Sequence, residues 1–121
     1  MELQLRLQIL KDAGQISEET YEGLNRVIEM FKNKWDITLV EENGAMLITH
    51  LSVAMERVRR GEVIEGIDKE IYNEIKNHCE FDKCKQIIKD ISEEARINIP
   101  ENEETFIMMH LCTLLETNKN D

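Results

Sequence analysis

The stretch Leu47-Ile48-Thr49-His50-Leu51-Ser52-Val53-Ala54-Met55-Glu56-Arg57-Val58 decides how the rest of the chain is read. Leu47, Leu51, Ala54 and Val58 recur at the three-to-four spacing that lays one apolar stripe along a helix, which predicts a helix over 43–60. Arg59 and Arg60 suit its C-terminus, and Gly61 stops it. The same period runs outward in both directions. Before it, Leu24, Val27, Ile28, Phe31 and Trp35 form a stripe over 17–35. Ser17 serves as its N-cap, Glu18 and Glu19 complement the positive end of the dipole, and Ile16 staples to Tyr21. After it, Ile67, Ile71 and Ile75 give a shorter helix following Gly66, and Cys84, Ile88, Ile91 and Ala95 give another. Asn102, just past Pro100, is expected to cap a last helix with the stripe Phe106, Ile107, His110, Leu111 and Leu114. Leu3, Leu5, Leu7 and Ile9 alternate like a strand, yet Leu3, Leu7 and Leu10 fit a helix. Lys11 near the end and Gly14 just past it favour the helix. Ile37-Thr38-Leu39-Val40 reads as a packed connector. The fold class is therefore all-α, with five core helices and a short N-terminal helix.

At 121 residues the chain suits one domain, and a hydrophobic share of 41% supplies a core without disulfide or metal staples. Acids outnumber bases 25 to 15, for a formal charge of −10. Such a chain repels phosphate backbones, and its densest basic group, Arg57, Arg59 and Arg60, does not offset that; direct nucleic-acid binding is not expected. No apolar run is long enough to span a membrane, and Met1-Glu2-Leu3-Gln4 lacks the basic start and apolar core of a signal peptide. The three cysteines, Cys79, Cys84 and Cys112, are scattered and odd in number, which points to reduced thiols and a cytoplasmic protein.

The residues that carry the reading past "helical domain" are His50 and His110. Each lies on or beside an apolar stripe, where a polar ring needs a reason. Arg57 lies seven residues after His50 and Glu103 seven before His110. Seven residues is nearly two turns, so each pair shares a helix face about 10 Å apart along the axis. If the two helices pack antiparallel with the histidines level, Arg57 arrives beside Glu103, within reach of an ion pair. The plainer reading is that each His is a core-edge residue bonded to a carbonyl and Arg57 a solvated base.

The first segment, with its His50-Leu51, Ala54, Arg57 and Gly61, resembles the His-Leu-x-x-Ala-x-x-Arg signature of PTS regulation domains. Pro100-Glu101-Asn102-Glu103-Glu104-Thr105-Phe106-Ile107-Met108-Met109-His110-Leu111 resembles their second signature, an acid seven residues before a His-Leu. The sixty-residue separation of the histidines and the two intervening helices agree as well. The resemblance extends over about Ser17 to Glu116. It implies a five-helix PRD-like bundle at 17–121, preceded by an N-terminal helical extension at 1–16. It also implies a regulatory domain rather than an enzyme. Its phosphoacceptor candidates are His50 and His110, with Arg57 and Glu103 in support. The implied phosphoryl donor is the phosphocarrier HPr or a sugar-permease IIB component, and the implied output is control of dimerisation or partner binding in carbohydrate-linked transcription regulation and antitermination. A homodimer, or pairing with a larger PRD-containing regulator, follows from the same likeness. The alternative is an unphosphorylated dimerisation or interaction protein of this fold. Two departures stand out. Thr49 takes the place of the Asp often found before the first His, and the chain shows no RNA-binding module, helix-turn-helix or second regulation domain, so the expectation is that it acts on a partner or that its ancestral role has drifted.

The chemistry suits the side chains. A neutral imidazole leaves one nitrogen free to attack phosphorus, and the product carries about two negative charges, which an Arg holds and a Glu resists. A small helical enzyme or metal protein using the two histidines at one site is the third possibility. His78, Cys79 and Cys84 lie between helices without the paired short spacings of a zinc site, so no metal or cofactor is expected. Cys112 reads as a small core hydrophobe, and Met46, Met55, Met108 and Met109 as core and interface filler.

Overall fold

In the computed structural model, which describes residues 2–77 and 80–119 without the side chains of 117–119, six helices and no strand are found among the described residues. They are α1 (Leu3–Asp12), α2 (Glu18–Trp35), α3 (Glu41–Arg59), α4 (Lys69–Lys76), α5 (Phe81–Ala95) and α6 (Glu101–Lys119). The local chemistry explains their limits. Ser17 Oγ accepts from the backbone N–H of Thr20 at 3.2 Å and starts α2. Asp36 ends α2 in the left-handed region, with Ile37 N–H returning to the Phe31 carbonyl. Asn43 reaches back to the N–H of Val40 at 2.8 Å and to the carbonyl of Thr38 at 3.1 Å, fixing the entry to α3. Gly14 and Gly61 follow α1 and α3 with φ of 74°, the conformation in which a Cβ is costly.

Two boundaries differ from the sequence reading. Ile67 precedes its helix: Asp68 caps α4 through the N–H of Glu70, and Ile67 N–H instead donates to Thr105 Oγ1 at 3.1 Å. Asn102 lies in the first turn of α6 rather than capping it, and its amide donates to the Ile64 carbonyl at 2.8 Å. Both side chains on α6 are spent tying down the extended connection after α3, a tertiary use that local pattern does not reveal.

The helices pair α2 with α5 and α3 with α6, with α5 joining α6 and α2 joining α3. Gly23 faces the backbone of Ala95, and Lys34 and Trp35 meet Asp90, so α2 and α5 run antiparallel. Phe31, Leu24, Val27, Ile87, Ile91, Leu47, Ile48, Leu51, Ile107, Met108 and Leu111 make one core. Helix α1 is part of it: Leu3 and Leu7 are fully buried against α2 and α3. The connector at 37–40 packs through Ile37 and Leu39. No helix among the described residues is long and apolar enough to cross a membrane.

Candidate functional site

Helices α3 and α6 pack antiparallel, and the register is fixed by what they carry. The rings of His50 and His110 lie 4.7 Å apart between centroids, tilted by 39°, with Phe106 5.9 Å from His50. Two turns away along both helices, Arg57 Nε and Nη2 donate to the two carboxylate oxygens of Glu103, each at 2.9 Å. The four residues singled out from sequence are thus brought together on one seam. Each histidine has an apolar stripe behind it and open space in front. Leu47, Leu51 and Ala54 bury the inner face of α3, and Ile107, Leu111 and Leu114 that of α6, so the imidazoles sit half-buried at the rim.

Burial shapes the electrostatics. Desolvation pushes the pKa of His50 below the ordinary imidazole range, helped by His110 and Arg57 and opposed by Glu103. Desolvation lowers that of His110 as well. Both rings are therefore favoured in the neutral, nucleophilic form at neutral pH. The Nε2 of His50 is buried and meets no hydrogen-bond partner among the described residues. Arg57 is held more firmly protonated by its bond to Glu103, whose side chain is only 2% exposed.

The histidines open onto a groove of about 540 Å³, which Thr49, Met46, Val53 and Ala45 line on the α3 side. Arg6, from α1, completes it and is held there by Glu41, the first residue of α3, through Nε at 3.1 Å and through Nη2. Arg6 is a site residue that the sequence reading missed. Its signal in the sequence is slight, one of the two bases of α1 beside Lys11, and its place depends on how α1 crosses α3. A second open groove, about 630 Å³, runs between α2 and α5 past Asn25, Arg26, Asn33 and Lys34; it is lined by neither imidazole nor thiol.

The other candidates separate from this seam. His78 and Cys79 lie outside the described residues. Cys84 and Cys112 are buried and not joined in a disulfide, with Sγ atoms 3.9 Å apart, in the α5–α6 seam. Among the described residues no group of three or more His, Cys, Asp or Glu is placed to hold a metal ion. Met55 and Met108 are core residues, whereas Met46 is exposed beside the histidines. A further polar cluster went unforeseen: Glu56 accepts from Ser17 and Thr20, and Arg59 donates to Thr20 Oγ1 at 3.1 Å, binding the start of α2 to the end of α3.

Comparison with known proteins matches residues 25–113 to the PRD domain family, a span that includes His50, Arg57, Glu103 and His110 and leaves out α1. The uncharacterized protein YhfY of Escherichia coli (strain K12) is 27% identical over 112 residues, covering 93% of this chain and 93% of that protein. No solved structure matches.

Proposed function

The chain belongs to the PRD domain family, and from that premise we propose that it is a phosphoryl-accepting regulatory domain of the sugar phosphotransferase system. In this reading α2–α6 form the five-helix PRD bundle and α1 precedes it. His50 and His110 are the acceptors, and Arg57 and Glu103 fix the register of the two helices that carry them. The domain works in the cytoplasm as a receiver rather than an enzyme. Its modification controls pairing with a second copy or with a larger regulator of the same fold, through which it reaches carbohydrate-linked transcription.

The observation that carries the reading is the pair of adjacent imidazoles, both favoured in the neutral form, at the mouth of an open groove. A lone pair on one ring attacks the phosphorus of a phosphohistidine on HPr, or of a phosphocysteine on a IIB component. The new N–P bond forms as the donor's P–N or P–S bond breaks. The electron pair returns to the donor, which takes up the proton released by the accepting imidazole. About two negative charges then stand where a neutral ring stood, a change large enough to make or break a surface contact.

One observation favours a second reading. Met46 and Val53 are exposed beside the histidines, so this face also suits a protein partner without any phosphorylation. The test is phosphoryl transfer with phosphoenolpyruvate, enzyme I and HPr, with and without IIB components, read by intact mass at neutral pH. A gain of one or two phosphates, lost in His50→Ala and His110→Ala, is expected. No gain with any donor sinks the acceptor reading and leaves the interaction reading, which requires partner binding that survives loss of both histidines.

A further inference from the structure

We propose that Arg6, on the helix that precedes the family match, is the cation that holds the phosphoryl group once it is on the histidine pair, exchanging its Glu41 partner for phosphate. The proposal rests on the acceptor reading of His50 and His110 and adds to it the residue that recognises the product.

Arg57 is the nearer basic residue in sequence, but it is committed. Both carboxylate oxygens of Glu103 take a hydrogen bond from it, and Glu103 is 2% exposed. Drawing Arg57 away would leave a bare carboxylate in the core, which is a far larger penalty than one surface contact repays. Arg6 is differently placed. Among the described residues it is the one permanently charged side chain that lines the groove with His50 and His110. Its ion pair with Glu41 lies at the surface, with side-chain exposures of 35% and 21%, where partners exchange at little cost. Glu41 is not stranded by the exchange, because it sits in the first turn of α3, where the helix dipole favours a negative charge.

Competition between the two anions favours phosphate. A phosphoryl group carries nearly twice the charge of a carboxylate and offers three oxygens to a planar guanidinium fork. The backbone beneath Arg6 does not need to move. Leu3 and Leu7 pin α1 in the core on either side of it, so the swing is confined to the side chain. The exposed Thr49 hydroxyl lines the same groove as a second donor for a phosphate oxygen. Phosphorylation would then uncover the Glu41 carboxylate beside a newly filled groove, changing the charge pattern of the whole α1–α3 face.

The test uses the full-length chain loaded chemically with phosphoramidate, which needs no donor protein. The imidazole attacks phosphorus, the P–N bond of the reagent breaks, and ammonia leaves with the proton. Phosphorus NMR then follows the second ionisation of the phosphoryl group, with His50→Asn and His110→Asn variants assigning the signals. In the wild type the midpoint should lie below the value of about 6 for an unassisted phosphoryl group. Arg6→Ala should bring it back towards that value, Arg6→Lys should restore part of the difference, and Glu41→Gln, which frees Arg6, should lower it further. An Arg6→Ala protein that retains its helical circular dichroism and the wild-type midpoint overturns the assignment of Arg6 alone. If Arg6→Ala does not fold, an unchanged midpoint in Glu41→Gln overturns it. If neither histidine loads in the wild type, the acceptor reading falls as well.

Discussion

Arg57 and Glu103 face each other across the α3–α6 seam as a two-pronged pair, 2.9 Å on both arms, two turns from the point where His50 and His110 meet. The seam therefore has a locked end and an open end. At the locked end a buried carboxylate is paired through both oxygens with Arg57. At the open end two imidazoles are held at equal height with solvent in front of them.

Breaking the locked end should cost more than an ordinary surface ion pair. Arg57→Ala leaves Glu103 charged and buried, and a loss of about 3–5 kcal/mol is expected. The double variant Arg57→Met/Glu103→Leu removes both charges and should recover much of it. Urea unfolding of the two proteins beside wild type decides the matter; a single-variant loss under about 1 kcal/mol, the range of exposed pairs, would show that the pair does not set the register.

Acid should weaken the fold through the histidines. Their folded pKa values are lowered, His50 by burial first and then by His110 and Arg57 against Glu103, His110 by burial. As pH falls through about 6.5, the unfolded chain therefore takes up protons before the folded one does. The contribution to stability is complete above that pH and declines below it, until the folded rings protonate too. The urea midpoint should drop between pH 7.5 and 5.5, and drop less in a His50→Gln/His110→Gln protein. NMR titration that places either ring above 6.5 contradicts the argument.

Much of this seam was legible in the sequence because it depends on spacing alone. Seven residues from His50 to Arg57 and seven from Glu103 to His110 become a shared face once the helices run antiparallel. What was not legible depends on three-dimensional crossing. Arg6 reaches the groove only because α1 lies across α3, and Asn102 leaves the capping role because Ile64 of the preceding connection offers it a carbonyl. Asp90 was legible in principle. It stands in the α5 stripe between Ile87 and Ile91, where an acid needs partners, and it has them in Lys34 at 2.8 Å and the indole of Trp35 at 3.0 Å.

Helix α1 should behave as core, not as an appendage. Leu7 is fully buried, so Leu7→Ala is expected to cost about 2–5 kcal/mol, whereas Leu5→Ala, on the exposed side of the same helix, should cost under about 1 kcal/mol. Thermal unfolding of the two variants separates these cases. Equal, small effects would mean that α1 frays from the bundle in solution, and the groove would then lose Arg6 along with it.

The α5–α6 seam makes its own prediction, through Cys84. Burial, with Cys112 beside it, pushes the Cys84 thiol up to about 12. Only the thiolate is nucleophilic, so at pH 8 its reactive fraction is on the order of one in ten thousand, and the packed seam shields even that. Native protein treated with iodoacetamide should therefore leave Cys84 unmodified, with alkylation appearing only in denaturant, as mapped by peptide mass spectrometry. Both thiols also stay too far apart for a bond at 3.9 Å against about 2.05 Å, so the seam must shift before they can be oxidised together. Labelling of Cys84 at the rate of a free thiol would show that α5 and α6 separate readily. In that case the α3–α6 register, which leans on α6 being held from behind, would be looser than the Arg57–Glu103 pair requires.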